Sequence, residues 1–196
     1  MDSNVLWLLW EVIQMKFIFP NQAYEEKAKD FIDEFNRLHS EINGSGGLDR
    51  YLLDSSYSEW LKKVLADIDL ANIEPGRVPA LTYFYVREDD DKIVGMINIR
   101  LALNDFLRSE GGHIGYCIRP TERGRHYATN MLKEAVNFCK IIGLNELILS
   151  CDKTNPASAG VIKNCGGCLD AEFYSDVFHS IIQRYIIKSD VNKPQV

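Results

Sequence analysis

The sequence predicts a mixed α/β fold, in which a central sheet of about six to seven strands carries helices on both faces. Strand-like runs and amphipathic helical segments follow one another in the order β-α-α-β-β-β-α-β-α-β-β. A strand–helix–strand unit stands in the middle of that order with hairpins around it, which favours a mixed sheet between two helical layers. A length of 196 residues suits one such core and is short for two domains.

The N-terminal half begins with a strand and two helices. The run at 16–19 (KFIF) predicts a short strand, and from Asn21 apolar residues recur at spacings of three and four, which predicts a helix. The stretch 43–47 (NGSGG) predicts a loop, and 57–70 a second helix. Strands at 80–87 and 92–103 follow; the EDDD between them is typical of a solvated hairpin tip rather than a metal site.

Strands and helices alternate in the C-terminal half. A strand is predicted at 113–119 (HIGYCIR) and then a helix from 125 to 142, ended by Gly143. The apolar run 146–151 (ELILSC) suits a central strand buried on both faces. A short helix begins at Asn155, because asparagine is a good N-cap residue and Pro156 suits the first helical position. Strands at 168–174 and 180–188 complete the order.

The bulk composition narrows the class of protein. The formal net charge is −6, and no basic stripe is present, which argues against nucleic-acid binding. Residues 1–15 form an apolar extension that Glu11 and Gln14 interrupt, so no membrane span is predicted. A secretory signal is not predicted either, because Asp2 stands where positive charge is expected and no small-residue cleavage site follows. The extension is expected to precede the domain or to dock on the body or on a second copy, so a homodimer is possible. We expect one domain over 16–190 and a tail at 191–196.

The five cysteines indicate a reducing compartment. An odd number of cysteines without a secretory signal is typical of free thiols in a cytoplasmic protein. Cys165 and Cys168 form a CxxC pair, but no second pair stands at metal-binding spacing. Buried or inert thiols are therefore expected here, with a redox motif as the alternative.

Positive charge is concentrated where the strand at 113–119 gives way to a helix. Within eight positions lie three arginines and a histidine against one glutamate: Arg119, Glu122, Arg123, Arg125 and His126. A helix N-terminus binds anions, and cations placed there without an anion would oppose the helix dipole. The cluster therefore predicts a ligand that carries a di- or triphosphate.

The segment 113–167 resembles the acetyl-CoA-binding half of bacterial-type members of the GNAT acetyltransferase superfamily, and a weaker similarity extends over 80–188. The family pattern Arg/Gln-x-x-Gly-x-Gly/Ala matches residues 123–128, with His126 in place of the central glycine. The resemblance implies a pyrophosphate site on the backbone of Arg123, Gly124, Arg125, His126, Tyr127, Ala128 and Thr129. It also implies that Asn155 and Ser158 face the pantetheine and phosphate arms of the coenzyme; a simple N-cap is the alternative for Asn155.

Acyl transfer to an amine needs a base, donors for the thioester oxygen and a proton source for the leaving thiolate. The resemblance implies that a backbone N–H of the preceding strand, at Cys117 or Ile118, holds the oxygen. His113 is the expected base, because an imidazole pKa of about 6.5 suits neutral pH. A structural histidine at a strand edge is the alternative, with Glu110 and Glu172 in reserve.

The proton donor and the acceptor site are less well determined by the sequence. The family often uses a tyrosine at the position of Ile162, so the role passes to Tyr174, to Tyr185 or to water. The loop at 43–47, the helix at 57–70, the strand end at 100–104 and the last hairpin are expected to border the acceptor cleft. Arg100 is expected to hold a substrate carboxylate, with Asn104 beside it; a surface position at the strand end is the alternative for Arg100.

These features together predict a cytoplasmic N-acetyltransferase. It would move an acetyl group directly from acetyl-CoA to a primary amine of a small molecule or peptide, without a metal or a covalent intermediate. The alternative is a non-catalytic module that binds acyl-CoA, which the missing tyrosine and His126 favour.

Overall fold

The computed structural model describes residues 14–69, 71 and 73–188. Within these residues seven strands form two sheets, ordered β1-β2-β3-β4 and β5-β7-β6, with antiparallel pairing inside each. The strands are β1 Met15–Ile18, β2 Ala80–Arg87, β3 Lys92–Arg100, β4 Ile114–Ile118, β5 Glu146–Asp152, β6 Cys168–Ser175 and β7 Ser180–Lys188. The helices are α1 Glu25–Arg37, α2 Leu48–Asp54, α3 Tyr57–Ala66, α4 Tyr127–Ile141 and α5 Pro156–Asn164.

Local capping fixes where several helices begin. Asn21 accepts a hydrogen bond from the N–H of Ala23 at the short 3₁₀ turn before α1. The hydroxyl of Ser56 accepts from the N–H of Glu59 at the start of α3. These bonds satisfy N–H groups that a helix leaves free at its first turn, which stabilises the starts that the sequence predicts.

Two hydrophobic clusters cover the two faces of the sheet. On one face, α1 and α3 contribute Phe31, Phe35 and Trp60 to a cluster that also contains Cys117 of β4. On the other face, α4 and α5 pack against β4, β5 and β7 in a cluster that includes Tyr185. The predicted mixed α/β fold, with seven strands and helices on both faces, is confirmed; the strands divide into two antiparallel sheets instead of forming one mixed sheet.

The two sheets are joined by hydrogen bonds at His113, the residue directly before β4. The backbone N–H of His113 donates to the carbonyl of Ile148 in β5 at 2.7 Å, and the N–H of Ile148 donates to Nδ1 of His113 at 2.9 Å. Beyond this contact β4 pairs only with β3, and β5 only with β7. The two strands therefore separate along β4 and leave an open gap between them.

Several local features differ from the prediction. Strand β3 ends at Arg100 instead of residue 103, and helix α3 ends at Ala66 instead of residue 70. Helix α2, Leu48–Asp54, was not predicted; it buries only Leu48, so its apolar periodicity is weak. A π-helical segment, Leu107–Gly111, occupies part of the predicted loop before β4. The apolar extension at 1–15 lies outside the described residues except for its last two positions, and Met15 already belongs to β1. Among the described residues, no helix is long and apolar enough to cross a membrane.

Candidate active site

A continuous cleft of about 1730 Å³ passes through the gap between β4 and β5. Its walls come from the loop before α2, the first turns of α4 and α5, the ends of β3 and β5, and the β6–β7 hairpin. The gap thus joins the face of the sheet that carries α1–α3 to the face that carries α4 and α5. Two molecules can approach the same point from opposite sides.

The hydrogen bonds at the two ends of β4 fix which backbone groups face the gap. The N–H of Arg100 donates to the carbonyl of His113 at 2.7 Å, and the N–H of Arg119 donates to the carbonyl of Val94 at 2.8 Å. Both bonds join β4 to β3. Because hydrogen-bonded and free positions alternate along an antiparallel pair, every second residue of β4 turns its N–H and C=O away from β3.

The gap-facing positions of β4 are Ile114, Tyr116 and Ile118. The backbone of Cys117 instead faces β3, where Cys117 is paired with Met96. Of the two residues predicted to hold the thioester oxygen, Cys117 has its backbone in the ladder and Ile118 faces the gap. The thiol of Cys117 is also buried, which raises its pKa to about 12.

The N-terminus of α4 presents an unusual row of free donors. The first helical bond runs from the N–H of Asn130 to the carbonyl of His126 at 3.0 Å, and the N–H groups of residues 124–129 donate to no other described residue. Gly124 and His126 both have positive φ, +79° and +62°. Successive N–H groups in such a turn form an anion-binding concavity. His126 adopts the backbone conformation that the glycine of the family pattern would favour.

The arginines of this turn have protein partners. Arg119 is buried and donates to Glu34 at 2.9 Å, and Nε of Arg123 donates to the carbonyl of Ile118 at 3.2 Å. A second nitrogen of Arg123 donates to the hydroxyl of Ser40 at 2.8 Å. Arg119 and Arg123, two of the side chains that suggested an anion site, therefore stabilise the turn through contacts within the protein.

The single glutamate of the cluster, Glu122, forms ion pairs with three cations. Glu122 is buried and accepts from Arg87 at 3.0 Å and Lys92 at 2.9 Å, and Arg125 lies 3.2 Å from the same carboxylate. Burial opposes its charge, but the hydrogen bonds from Lys92 and Arg87 outweigh burial and lower its pKa. The carboxylate stays ionised and ties the turn to β2 and β3, so the donors that remain free in this turn are mainly backbone N–H groups.

The first turn of α5 closes the gap from the other side. Oδ1 of Asn155 accepts from the N–H of Ser158 at 2.9 Å, the arrangement of a simple N-cap. The hydroxyl of Ser158 lies 3.0 Å from that of Tyr116, and both residues line the cleft. Burial raises the pKa of Tyr116, so its hydroxyl keeps its proton. Sequence reasoning missed Tyr116, although it is the tyrosine of the strand that leads into the anion-binding turn.

Ile162, at the family's tyrosine position, belongs to the core. It is 1% exposed and packs in the cluster between α4, α5 and the sheet. Tyr185 is also fully buried in this cluster. Tyr116 reaches the first turn of α5 from β4, so a hydroxyl group is present near that helix despite the isoleucine.

The structure keeps both predicted catalytic side chains out of the cleft. His113 is 8% exposed and its Nδ1 accepts from β5; burial lowers its pKa. These contacts favour the alternative, a structural histidine at a strand edge. Tyr174 lies on the outer strand β6 and is 61% exposed. Neither residue lines the cleft. His113 is hydrogen-bonded at the junction between the two sheets, and Tyr174 faces outward from β6.

Both predicted acceptor-side residues line the cleft. Nη1 of Arg100 donates to the carbonyls of Gly111 and Gly112 at 3.0 and 2.9 Å. The amide of Asn104 donates to the carbonyl of Gly76 at 2.9 Å. Glu110 lines the same wall, and its carboxylate accepts a hydrogen bond from a buried serine of β6.

A glycine contact and a buried amide complete the acceptor side. A Cβ on Gly44 would lie 2.2 Å from the carbonyl oxygen of Gly115, so the loop before α2 rests directly on β4. Beneath this loop, the amide nitrogen of Asn98 donates to Thr82 at 3.0 Å, and Asn98 lines the cleft while only 6% exposed. Its carbonyl oxygen has no partner among the described residues. A lone asparagine in the apolar run KIVGMINIR was the signal for it in the sequence.

The comparison with protein families decides the assignment. The family model of the acetyltransferase (GNAT) domain matches residues 50–167, which is more than half of the chain. The chain belongs to the GNAT acetyltransferase family. Its matched region includes the gap between β4 and β5, the turn before α4 and the start of α5.

Solved GNAT structures share this fold at low sequence identity. The microcin C7 self-immunity acetyltransferase MccE, in complex with acetyl-CoA and AMP, is 16% identical with a TM-score of 0.66, covering 90% of this chain and 93% of its own. RimL, the ribosomal L7/L12 alpha-N-protein acetyltransferase with coenzyme A, is 14% identical with a TM-score of 0.67, covering 91% and 96%. The ribosomal-protein-S5-alanine acetyltransferase from Vibrio fischeri is 18% identical with a TM-score of 0.64, covering 92% and 95%. Among curated protein sequences the chain has no match.

Proposed function

We propose that this GNAT protein transfers an acetyl group from acetyl-CoA directly to a primary amine. The observation that carries the proposal is the row of unpartnered N–H groups at residues 124–129, at the mouth of the gap between β4 and β5. Six consecutive free donors at a helix N-terminus suit a pyrophosphate. The ligands named for two solved relatives, acetyl-CoA for MccE and coenzyme A for RimL, both carry this pyrophosphate and agree with the proposal.

The gap itself suits the arm of the coenzyme. The backbone groups of Ile114, Tyr116 and Ile118 point into it, and Asn155 and Ser158 stand opposite at the start of α5. Bound there, acetyl-CoA supplies the acetyl group as a thioester. The gap-facing N–H of Tyr116 is our candidate for the donor that stabilises the carbonyl oxygen as it becomes negative.

Two side chains in the cleft suit the proton transfers. The carboxylate of Glu110 has no Lys, Arg or His nitrogen within 4.0 Å among the described residues, and it can take the proton of an incoming ammonium. The hydroxyl of Tyr116 can give its proton to the departing thiolate, and the hydroxyl of Ser158 lies within hydrogen-bond distance to orient it. The nitrogen–carbon bond forms as the carbon–sulfur bond breaks.

Direct transfer agrees with the state of the thiols. Cys117 and Cys151 both line the cleft, but burial raises the pKa of each. A neutral thiol is a poor nucleophile, so neither cysteine is suited to carry the acetyl group. All five cysteines are free, which supports the proposed cytoplasmic location.

Binding and turnover test the proposal together. The melting temperature should rise with acetyl-CoA and not with NAD or ATP, since ligand at about 100 times its dissociation constant stabilises by about 2.7 kcal/mol. An amine panel should then release free coenzyme A thiol and yield acetylated product by mass spectrometry. Glu110→Gln and Tyr116→Phe should lower kcat and leave the acetyl-CoA shift intact. Binding without turnover on any amine would favour the non-catalytic acyl-CoA module, and absence of both would overturn the proposal.

A further inference from the structure

Arg100 is half-buried and, unlike the other buried or half-buried cations among the described residues, has no carboxylate beside it. The guanidinium groups of Arg119 and Arg87 and the ammonium group of Lys63 each lie within 4.0 Å of a carboxylate. Arg100 has no such partner among the described residues; its contacts are the carbonyls of Gly111 and Gly112. Burial lowers its pKa, as expected for a cation that leaves water without an anion beside it. A cation in this setting is stabilised by any anion that reaches it.

The position of Arg100 separates it from the phosphate site. Arg100 pairs with His113, which directly precedes β4, whereas the free N–H groups of residues 124–129 come after the end of β4. Five residues of strand between these points correspond to about 16 Å. An anion bound at Arg100 is therefore a different group from the pyrophosphate.

Arg100 also approaches the cleft from the acceptor face. Its side chain shares a face of β3 with Asn98, under the loop that crosses β4 at Gly44 and Gly115. Nη2 of Arg100 lies 3.5 Å from where a Cβ on Gly115 would be. Nε and Nη2 make no hydrogen bond to another described residue, so two donors remain for a ligand. Two parallel donors of a guanidinium match the two oxygens of a carboxylate.

A carboxylate lies next to the backbone that this cation contacts. Glu110 immediately precedes Gly111, whose carbonyl is bound by Arg100, and both side chains line the same cleft. They do not pair with each other, since no nitrogen of Arg100 lies within 4.0 Å of the Glu110 carboxylate. The wall thus offers one cation and one anion, each without a counter-ion from the described residues.

We propose that the acceptor is a small amine that also carries a carboxylate, an amino-acid-like molecule whose carboxylate pairs with Arg100 and whose amine faces Glu110. This inference rests on the proposed acetyl transfer and specifies its acceptor. A polyamine, by contrast, would bring further positive charge against Arg100.

Matched acceptors test the proposal. Each pair consists of an amino acid and the amine obtained by removing its carboxylate, such as phenylalanine with phenethylamine and methionine with 3-(methylthio)propylamine. Values of kcat/KM are measured from coenzyme A release, and binding from the melting temperature with coenzyme A present. For at least one pair the carboxylate-bearing member should be favoured about tenfold or more, as expected for a charge-assisted bidentate contact.

Variants assign that preference to Arg100. Arg100→Met, which keeps an unbranched apolar stem without the charged guanidinium, should reduce the preference to about one, and Arg100→Lys should keep part of it. Arg77→Met is the matched control, because Arg77 lines the same cleft but is paired with Asp67 and Glu74. This control should leave the preference unchanged.

The outcomes separate the two proposals. A wild-type preference for the amines without a carboxylate, or a preference that survives Arg100→Met, would overturn the acceptor proposal while acetyl transfer stands. Failure of every carboxylate-bearing acceptor to bind or react would overturn it as well. If acetyl-CoA neither raises the melting temperature nor donates its acetyl group to any amine, it is the proposed acetyl transfer that fails.

Discussion

Replacing His126 with aspartate tests the anion site with two effects of opposite sign. His126 is exposed, caps α4 and has φ of +62°, a conformation that aspartate and asparagine also tolerate. The new carboxylate would lie beside the free N–H groups of residues 124–129. It should stabilise the unliganded protein by about 0.3–1 kcal/mol, as an anion at a helix N-terminus does. For a chain of this length the melting temperature should rise by roughly 1–4 °C.

The same carboxylate should weaken acetyl-CoA binding. Two like charges about 4 Å apart repel by about 1 kcal/mol in water, and a pyrophosphate brings two charges, so the cost is about 2 kcal/mol. That cost corresponds to an affinity lower by roughly 30-fold. Isothermal titration with acetyl-CoA measures the affinity, and thermal unfolding without ligand measures the stability.

His126→Asn is the matched control, since it has nearly the same shape as aspartate without the charge. It should change neither the affinity nor the stability by a comparable amount. If His126→Asp binds acetyl-CoA as tightly as the wild type, the N-terminus of α4 does not hold the pyrophosphate. If His126→Asn loses as much affinity as His126→Asp, the imidazole itself contributes to binding and the electrostatic reasoning is wrong.

Three further predictions concern stability. His113→Ala should lower the free energy of unfolding by about 1–3 kcal/mol, because it leaves the N–H of Ile148 unpaired; urea unfolding measures this. If the variant instead loses the pH dependence of kcat that the wild type shows, His113 is catalytic. Gly44→Ala should destabilise more than Gly143→Ala, because both have positive φ but only the first would place a Cβ against β4; equal melting temperatures would refute the contact. The pKa of Glu34 is lowered, despite opposing burial, by bonds from Thr121 and Arg119. Its stabilisation should be present above about pH 4.3 and fade as pH falls through the lower folded value, so Glu34→Gln and wild type should converge in acid unfolding.

Local sequence signals were sufficient for most of the framework. Strands β2 and β7 have the bounds that their apolar and β-branched runs predict, 80–87 and 180–188. Helix α5 begins after Asn155, as its capping asparagine indicates. Periodicity and caps act over a few neighbouring residues, so they can be read without knowing the fold. Helix α2 was missed because seven residues with one buried side chain give almost no periodic signal.

The sequence by itself determined the fold class, the strand–helix junction at which we propose the anion site, and the family pattern on that junction. Only the tertiary structure decided which side chains face the cleft. His113 stands at the end of the right strand, but Ile148, 35 positions away, takes its ring nitrogen. Tyr116 reaches the cleft because β4 separates from β5, and Arg100 lacks a counter-ion because none folds next to it. These three features depend on contacts between segments that are distant in the sequence, so the spacing of residues along the chain does not predict them.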